Sequence, residues 1–460
     1  QLHPPPAAAP AVPATERPAK MGSGSSAASQ IAKASADDMT KCLQDLSPEQ
    51  RQKIAAALKS CDAAEKPAAT EQPAAAEKPA AAEKSAASEE KAAPEAAGEK
   101  KPSESADAPP KEDGKSSSGL PSRPMGSQGL KVAMQGYGCM GLTAFYGAAL
   151  PDEKGLEVLQ KAFDLGVTHF DTAEMYQGKD ADGNQKFNEE LVGKFVANVG
   201  KDKVTVATKY WPATEECKPE AVRESLDASL KRLGIECVDL YYLHRVPSDD
   251  YLKAWMETAK ALVAEGKCKY LGISEASGAQ IRLAHGIHPL TAVQQEWSLI
   301  IRSLEKEVVP TCRELGVGIV AYSPLCRGFT SALVKTQEDW SKIGNEGGAA
   351  KGFQTLCPHL SGENVAQNAN LLAPLEDLAK EHGVTPAQLS LAWVQAQGED
   401  VFPIPGTTKV ANLESNVSAA ALALKLDASV FKKLGEAVDS SKVQGERYPS
   451  GFTANIIENK

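Results

Sequence analysis

The chain has 460 residues and a formal net charge of −10 at pH 7. This acidity argues against binding to nucleic acid or to an anionic membrane, and no stretch approaches the roughly 18 apolar residues of a membrane span. The nine cysteines include no CxxC pair and no zinc-type spacing, so we expect reduced thiols in a cytoplasmic protein, with no metal site.

The N-terminal part of the chain differs in composition from the rest. Residues 1–128 contain no Trp, Tyr or Phe and are dominated by Ala, Pro, Glu, Lys and Ser. Such a segment cannot bury enough apolar surface to offset its chain entropy, so most of it should be disordered. We predict a disordered Pro/Ala-rich arm (1–30), a small helical segment (31–62), a low-complexity linker (63–128) and a folded domain (129–460).

Two local motifs lie in this N-terminal part. Ser47 followed by Pro48 and Gln50 is a good helix start, which supports the helical segment. The chain begins with Gln1, so targeting cannot be judged from its start. If Met21 is the initiator, Gly22 fits an N-myristoylation pattern, although a flexible Gly/Ser stretch is the interpretation we favour.

Beyond residue 129, short β-rich runs alternate with amphipathic helical patterns. The runs are nearly continuous hydrophobics, which is typical of buried parallel strands. Eight β/α repeats over roughly 330 residues predict an α/β fold, specifically a (β/α)8 TIM barrel. The predicted strands are Tyr137–Met140, Thr168–Asp171, Val204–Lys209, Val238–His244, Tyr270–Ser274, Ala292–Glu296, Gly318–Tyr322 and Val401–Ile404.

Four polar residues stand at the carboxyl ends of successive predicted strands, where a barrel carries its catalytic groups. Asp171, Lys209 and His244 end strands two, three and four, and Tyr176 follows Asp171 by five residues. A tyrosine phenol is too weak an acid at neutral pH, but a nearby ammonium stabilises its phenolate. Each residue alone has an equally good structural explanation, and only their joint placement predicts a proton-delivery site for carbonyl reduction.

The same residues lie in motifs that resemble the aldo-keto reductase family from Leu130 to about Asn416. The resemblance rests on five stretches and is greatest to the branch of pyridoxal reductases and auxin-induced-type reductases of plants, fungi and bacteria. The stretches are Gly136–Gly141 with Phe145–Gly147, Gly166–Tyr176, Asn188–Gly193, Ala207–Lys209, and Arg232–Gly234 with Val238–His244.

This resemblance implies roles for the catalytic residues. Tyr176 would be the general acid, Lys209 would lower the pKa of Tyr176, Asp171 would hold Lys209, and His244 would position the carbonyl. The substrate would be a small carbonyl compound. Its pocket would include Phe145, Tyr146 and Trp211, each of which could equally be packing at the barrel rim.

The resemblance also implies NADPH, or NADP⁺ in the reverse direction, as cofactor. Ser274, Glu275 and Gln294 would hold the nicotinamide amide, and Tyr322 would stack on the ring. Backbone amides near the pyrophosphate would come from Ser323, Leu325 and Gly328. The groups around the adenosine 2′-phosphate would come from a later stretch, namely Gly406, Thr407, Lys409, Asn412 and Asn416. The cationic Lys409 favours NADP over NAD.

Some positions depart from the family pattern. Glu275 stands where many members have Asn, and Gly406 and Asn412 stand where others have a basic residue. Stretch 406–416 is also readable as a plain helix start capped by Thr407 or Thr408.

The glycines at 136, 138 and 141 match the GxGxxG fingerprint of a Rossmann dinucleotide site. That motif must open a helix at once, yet a helix is predicted only near Asp152. We therefore expect these glycines to let the backbone approach the cofactor or turn tightly.

Two further expectations concern regions outside the catalytic residues. The irregular stretch Cys326 to Glu363 should form a lid that shapes substrate selectivity. As an alternative to an enzyme, the chain resembles potassium-channel β-subunits, and the barrel and its N-terminal arm could serve in assembly.

Overall fold

The computed structural model describes residues 119–331, 334–342 and 357–449. The chain divides into two compact units, Gln1–Ala108 and Pro109–Lys460, and all described residues belong to the second. The predicted arm 1–30, the helical segment 31–62 and the lipidation motif at Gly22 therefore lie outside the described residues.

Eight parallel strands form one sheet that curls into a nearly closed barrel, as the sequence predicted. Each strand pairs with the next one along the chain, so the order in the sheet is the order in the sequence. Strands β1, β2, β5 and β6 form two separate hairpins that are described below. The eight barrel strands are β3 Tyr137–Gly138, β4 His169–Asp171, β7 Thr205–Tyr210, β8 Val238–Leu243, β9 Cys268–Ser274, β10 Ala292–Glu296, β11 Gly318–Tyr322 and β12 Val401–Pro403.

Helices surround the barrel and pack on its outer face. Their starts follow local sequence rules, since α5 and α10 begin with capping boxes at Ser277 and Thr385. Gly234 and Gly316 end α3 and α6 in the left-handed conformation. The helices are α1 Asp152–Asp164, α2 Asn188–Val199, α3 Pro219–Leu233, α4 Asp249–Ala264, α5 Gly278–Ile287, α6 Val308–Leu315, α7 Gln337–Lys342, α8 Asn364–Asn370, α9 Ala373–Glu381, α10 Pro386–Gln395, α11 Val410–Lys425 and α12 Ala428–Ala437.

The fingerprint glycines help to close the barrel between β3 and β12. The Gly136 N–H donates to Pro403 O at 3.0 Å. A Cβ on Gly138 would lie 2.7 Å from Ile404 O, and a Cβ on Gly406 would lie 2.4 Å from Gly138 O. Two backbones therefore pass face to face here, and only glycine permits that approach. Gly138 and Gly406 therefore allow two stretches of protein backbone to approach each other, and the expected approach of the fingerprint glycines to the cofactor stays a prediction.

The Rossmann interpretation fails on local structure. Only the short 3₁₀ turn Met140–Leu142 follows the glycines, and α1 begins ten residues later at Asp152. The chain thus has no strand-to-helix turn at the place where a Rossmann fold holds the pyrophosphate.

An antiparallel hairpin at the amino ends of the barrel strands is a feature that the sequence did not predict. It consists of β1 Ser122–Met125 and β2 Leu130–Ala133. A Cβ on Gly318, the first residue of β11, would lie 2.8 Å from the Met125 side chain. Met125 joins a buried cluster with Leu240, Tyr242 and Phe402 in the barrel interior. The hairpin therefore closes the bottom of the barrel, and the boundary predicted at residue 128 for the linker 63–128 falls too late.

A second hairpin and several short helices modify the upper side. Strands β5 Gln177–Lys179 and β6 Gln185–Phe187 follow Tyr176 directly. In the predicted lid, the described residues include the 3₁₀ segments Cys326–Ser331 and Pro358–Leu360 and helix α7. Within the described residues, no helix is long and apolar enough to cross a membrane, and no cluster of metal-binding side chains occurs.

Candidate active site

The buried ammonium of Lys209 lies at the centre of the upper end of the barrel. Its Nζ donates to Asp171 Oδ1, to Thr172 O at 2.8 Å and to Tyr176 Oη at 3.3 Å. The Lys209 side chain is 0% exposed and that of Asp171 is 2% exposed. Asp171 and Lys209 lie at the ends of neighbouring strands β4 and β7, so the barrel register itself brings the two charges together.

His244 completes this group from β8, the next strand. Its ring centroid lies 5.6 Å from that of Tyr176 in an edge-to-face arrangement. Nδ1 of His244 is buried and has no hydrogen-bond partner in the described part of the chain. Three residues predicted at separate strand ends therefore share one site with Tyr176 from the loop after the first of these strands.

The electrostatics of the site favour a neutral imidazole and a charged lysine. Burial, together with Arg245 and Lys209, holds the pKa of His244 well below its usual value. Burial alone would lower the pKa of Lys209, but Asp171 and Tyr176 together raise it. The pKa of Tyr176 lies above its ordinary value, because burial raises it more than Lys209 lowers it. Lys209 thus lowers the pKa of Tyr176 as expected, but this effect is smaller than that of burial, so the pKa of Tyr176 does not fall below its ordinary value.

A buried polar cluster holds the loop that carries Tyr176. Asn188, the first residue of α2, donates to Cys139 O at 2.9 Å and to Thr143 Oγ1 at 2.8 Å, and accepts from Thr172 Oγ1 at 2.6 Å. The Asn188 N–H donates to Tyr176 O at 2.9 Å. One side chain therefore ties the loops after β3 and β4 together, and the sequence signature around Asn188 has a structural cause.

Aromatic rings form one wall beside the catalytic group. Trp211 lies edge-to-face with His244 at 5.3 Å, and Phe145 lies edge-to-face with Tyr176 at 6.4 Å. Glu174 holds this wall in place, because its carboxylate accepts from the Trp211 N–H at 2.5 Å and from Ser225 on α3. Tyr146 is half-buried. Burial raises the pKa of its phenol, and on the other side of the opening Arg327 lowers this pKa while Tyr448 raises it.

On that other side, six buried or half-buried side chains form what we call the mouth network: Glu275, Glu296, Tyr322, Arg327, Arg447 and Tyr448. Arg447 donates to Glu275 Oε2 at 2.6 Å and to Glu296 Oε2 at 3.3 Å. Arg327 donates to Glu296 Oε1 at 2.9 Å. Two carboxylates thus neutralise two guanidiniums away from water.

The two tyrosines complete the mouth network. Tyr322 Oη donates to Glu275 Oε1 at 2.8 Å and lies 3.1 Å from Tyr448 Oη, which accepts from Arg327 at 3.1 Å. Sequence reasoning missed Arg327, Arg447 and Tyr448 altogether. A GERYP stretch near the C-terminus gave no recognisable signal on its own.

The model of the Aldo/keto reductase family matches residues 136–439. The chain belongs to the aldo/keto reductase family. It is 45% identical over 337 residues to the probable aldo-keto reductase 1 of Glycine max, covering 71% of this chain and 92% of that protein.

A solved structure agrees with this assignment. A thermostable aldo-keto reductase in complex with the inhibitor epalrestat aligns with a TM-score of 0.55 and 26% identity, covering 69% of this chain and all of that one. The protein is therefore an oxidoreductase with the barrel fold of carbonyl reductases. The alternative as an assembly subunit is not favoured by these matches.

Several of the residues predicted for the reductase's cofactor have side chains engaged with protein groups. Gln294 Nε2 donates to Asp171 Oδ2 at 2.8 Å, so it supports the catalytic carboxylate. Glu275 uses both oxygens on Arg447, Tyr322 and the Glu296 N–H. The expected contact of Glu275 with the nicotinamide amide stays a prediction. Ser274, at the end of β9, is fully buried and lies 3.4 Å from Arg245 Nη1.

Left-handed backbone conformations cluster around the reductase's mouth. Glu275, Ser323, Cys326 and Arg327 have φ of 56°, 47°, 46° and 57°, and Gly328 follows at 95°. Non-glycine residues seldom adopt this region, and such strain is concentrated at functional sites. The loop that contains Ser323, Leu325 and Gly328 is therefore held in one special shape beside Tyr322.

The residues predicted around the 2′-phosphate lie at the start of α11. Gly406 and Lys409 are exposed, Thr407 is half-buried, and Asn416 is buried one turn beyond the exposed Asn412. Thr407 Oγ1 accepts from the Lys409 N–H at 3.2 Å. Within the described residues Lys409 has no ion pair, and its side chain does not cap the helix.

Proposed function

We propose that this reductase converts an aldehyde or ketone to an alcohol with NADPH, and that Tyr176 is the proton donor. The observation that carries this proposal is the contact of 3.3 Å between Tyr176 Oη and the buried Lys209 Nζ. Few arrangements other than proton delivery explain an ammonium held fully out of water beside a phenol.

The protein groups have complementary roles in moving that proton. Tyr176 gives its proton to the carbonyl oxygen, and Lys209 stabilises the phenolate that remains. Asp171 keeps Lys209 charged and fixed, and Gln294 and Thr172 hold these two in place. His244 is neutral, so it is not the acid, but one ring N–H can orient the carbonyl oxygen.

NADPH when bound would supply the hydride to the carbonyl carbon. The residues present fit this cofactor in three places. Tyr322 offers a half-exposed ring whose hydroxyl is anchored on Glu275. The strained loop Ser323–Gly328 directly follows Tyr322, and Lys409 supplies an exposed cation at the N-terminus of α11. These positions support NADPH rather than NADH as the cofactor.

The substrate pocket is proposed to lie between Phe145 and Trp211, with Tyr146 farther along the rim. Their rings pack edge-on against Tyr176 and His244 and leave an apolar approach to the two polar groups. Such a lining is typical of small-molecule sites with a few convergent polar atoms.

Purified full-length protein should oxidise NADPH in the presence of aromatic and aliphatic aldehydes, followed by the loss of reduced-nicotinamide absorbance. Product identification by mass spectrometry should give the corresponding alcohol. Failure to reduce any compound in a broad panel of aldehydes and ketones, while NADPH still binds, would contradict the proposal. Comparing NADPH with NADH at equal concentration tests the cofactor preference in the same assay.

A further inference from the structure

Among the described residues around the mouth, one arginine has no carboxylate paired with it. Lys209 is paired with Asp171. Glu275 and Glu296 are paired with Arg327 and Arg447 inside the mouth network. Among the described residues no carboxylate pairs with Arg245, although this arginine follows His244 directly. The mouth therefore holds one positive charge without a counterion.

Arg245 lies between the proton-delivery group and the mouth network. Its Nη1 donates to His244 O at 2.7 Å and approaches Ser274 Oγ at 3.4 Å. Its charge weakly opposes the burial that raises the pKa of Tyr176 on one side, and on the other it adds to Arg447 in lowering the pKa of Glu275, so both lie within electrostatic reach. Arg245 is only half-buried, and among the described residues its guanidinium makes no ion pair.

A half-buried guanidinium with unused donors is matched best by a planar anion. Its fork of N–H groups fits a carboxylate with two parallel hydrogen bonds, which a lysine cannot reproduce. The other anionic groups expected near the site already have positions, since the pyrophosphate falls at Ser323–Gly328 and the 2′-phosphate at Lys409. Arg245 adjoins His244 and Tyr176, where the carbonyl is expected.

We propose that Arg245 binds a carboxylate on the substrate, and that the enzyme prefers aldehydes or ketones that carry a carboxylate a few bonds from the carbonyl. This inference rests on the proposed function. Glu174, the other acidic group near the rim, does not compete, because its oxygens accept from Trp211 and Ser225 on the side of α3. A neutral substrate would leave the Arg245 charge without an anion in a partly dehydrated site.

The test compares 4-carboxybenzaldehyde with its neutral methyl ester, and succinic semialdehyde with butanal. For the wild type we expect kcat/KM to be higher for the acid in each pair. Arg245→Met should reduce kcat/KM for the acids by about 10- to 100-fold, the range of a hydrogen-bonded charge, and change the esters and butanal by less than about threefold. Arg245→Lys should recover only part of the loss, because it restores the charge without the fork.

Two controls separate the possible outcomes. Arg223→Met removes an exposed arginine that pairs with Glu265 on the outer helices, and should change neither substrate class. The NADPH Kd, measured by fluorescence, should be the same in Arg245→Met and wild type. A weaker NADPH Kd with equal losses for acid and ester would overturn the proposal, because Arg245 would then be a cofactor contact.

A binding experiment without turnover makes the proposal independent of catalysis. The product analogue 4-(hydroxymethyl)benzoate should quench the fluorescence of the NADP⁺-loaded wild type and bind about 10- to 100-fold more weakly to Arg245→Met, whereas its methyl ester should show no such difference. Arg245-dependent binding without reduction of any carbonyl would sink the proposed function alone. Reduction without any preference for acids would sink the carboxylate site alone.

Discussion

Lys209 Nζ lies 3.3 Å from Tyr176 Oη and 4.8 Å from the centroid of the Tyr176 ring, so the ammonium contacts the hydroxyl and lies over the ring. This contact is possible because β4 and β7 are neighbours and the loop after β4 folds back over them. Asn188 fixes that loop by bonds to Thr172, Thr143 and Cys139. The catalytic geometry is therefore a property of the barrel register and of one buried amide.

Tyr176→Phe removes the proposed acid and leaves the rest of the site in place. We expect kcat to fall by about 10²- to 10⁴-fold, the usual contribution of a positioned acid, while the NADPH Kd stays within about twofold. Steady-state kinetics and fluorescence titration measure the two quantities. Tyr270→Phe is the matched control. Tyr270 lies near the amino end of β9, away from the site at the carboxyl ends of the strands, so this variant should keep its activity. Near-normal kcat in Tyr176→Phe would refute the acid assignment.

Lys209→Met should destabilise the fold as well as stop catalysis. The substitution leaves the Asp171 carboxylate buried without its cation, which costs about 3–5 kcal/mol of unfolding free energy. The double variant Asp171→Asn with Lys209→Met should regain most of that stability, while remaining inactive. Urea denaturation of both variants and wild type measures the difference. Equal instability of the single and double variants would show that the loss comes from packing and not from charge.

Lys409→Ala tests the proposed recognition of the adenosine 2′-phosphate. We expect the NADPH Kd to rise by about 10-fold or more, as for loss of a charge-assisted hydrogen bond, with little change for NADH. Lys425→Ala, an exposed lysine at the other end of α11, is the control. If the binding of NADPH and of NADH is weakened equally, Lys409 does not bind the 2′-phosphate.

Much of the fold was predictable because parallel strands buried on both faces leave continuous hydrophobic runs. The eight strands were placed within two residues of their observed ends, and the structure brings Asp171, Lys209 and His244 together with Tyr176, whose catalytic roles stay predictions. The bottom hairpin β1–β2 was missed because it lies next to a low-complexity segment and is only four residues per strand.

The mouth network could not have been predicted from local pattern. Arg447 and Glu275 are 172 residues apart, and Arg447 and Glu296 are 151 apart, so their pairing depends on where the C-terminal segment docks. That docking uses backbone groups, with Gln444 N donating to Asn368 Oδ1 at 2.8 Å and Asn368 Nδ2 donating to Gln444 O at 2.9 Å. Such contacts leave no periodic signal in the sequence.

Arg447→Met should reveal how strongly this network contributes to stability. It removes the main cation of Glu275 and one of the two that pair with Glu296, so we expect a loss of about 3–5 kcal/mol in urea denaturation. The control Lys442→Met breaks an exposed pair with Asp439 and should leave the urea midpoint close to that of the wild type. The double variant Arg447→Met with Glu275→Gln should be more stable than Arg447→Met alone. If both single variants cost the same small amount, the network does not hold the C-terminal segment.

Stability should also fall in mild acid because of His169. This residue lies on β4 with both ring nitrogens buried and without partners in the described part of the chain, and burial lowers its pKa to about 4. The folded protein therefore keeps His169 neutral, whereas the unfolded chain protonates it below its ordinary pKa of about 6.5.

The sign of the effect follows from that difference in proton binding. The contribution of His169 is fully present above about pH 6.5 and is lost as the pH falls towards 4, by roughly 3 kcal/mol in all at 1.36 kcal/mol for each pH unit. Urea denaturation at several pH values should show that the free energy of unfolding decreases less steeply with falling pH in His169→Gln than in wild type. The half-exposed His382 provides the control substitution His382→Gln, which should keep the wild-type slope. Identical slopes for all three proteins would mean that other groups, such as the buried carboxylates, dominate acid unfolding.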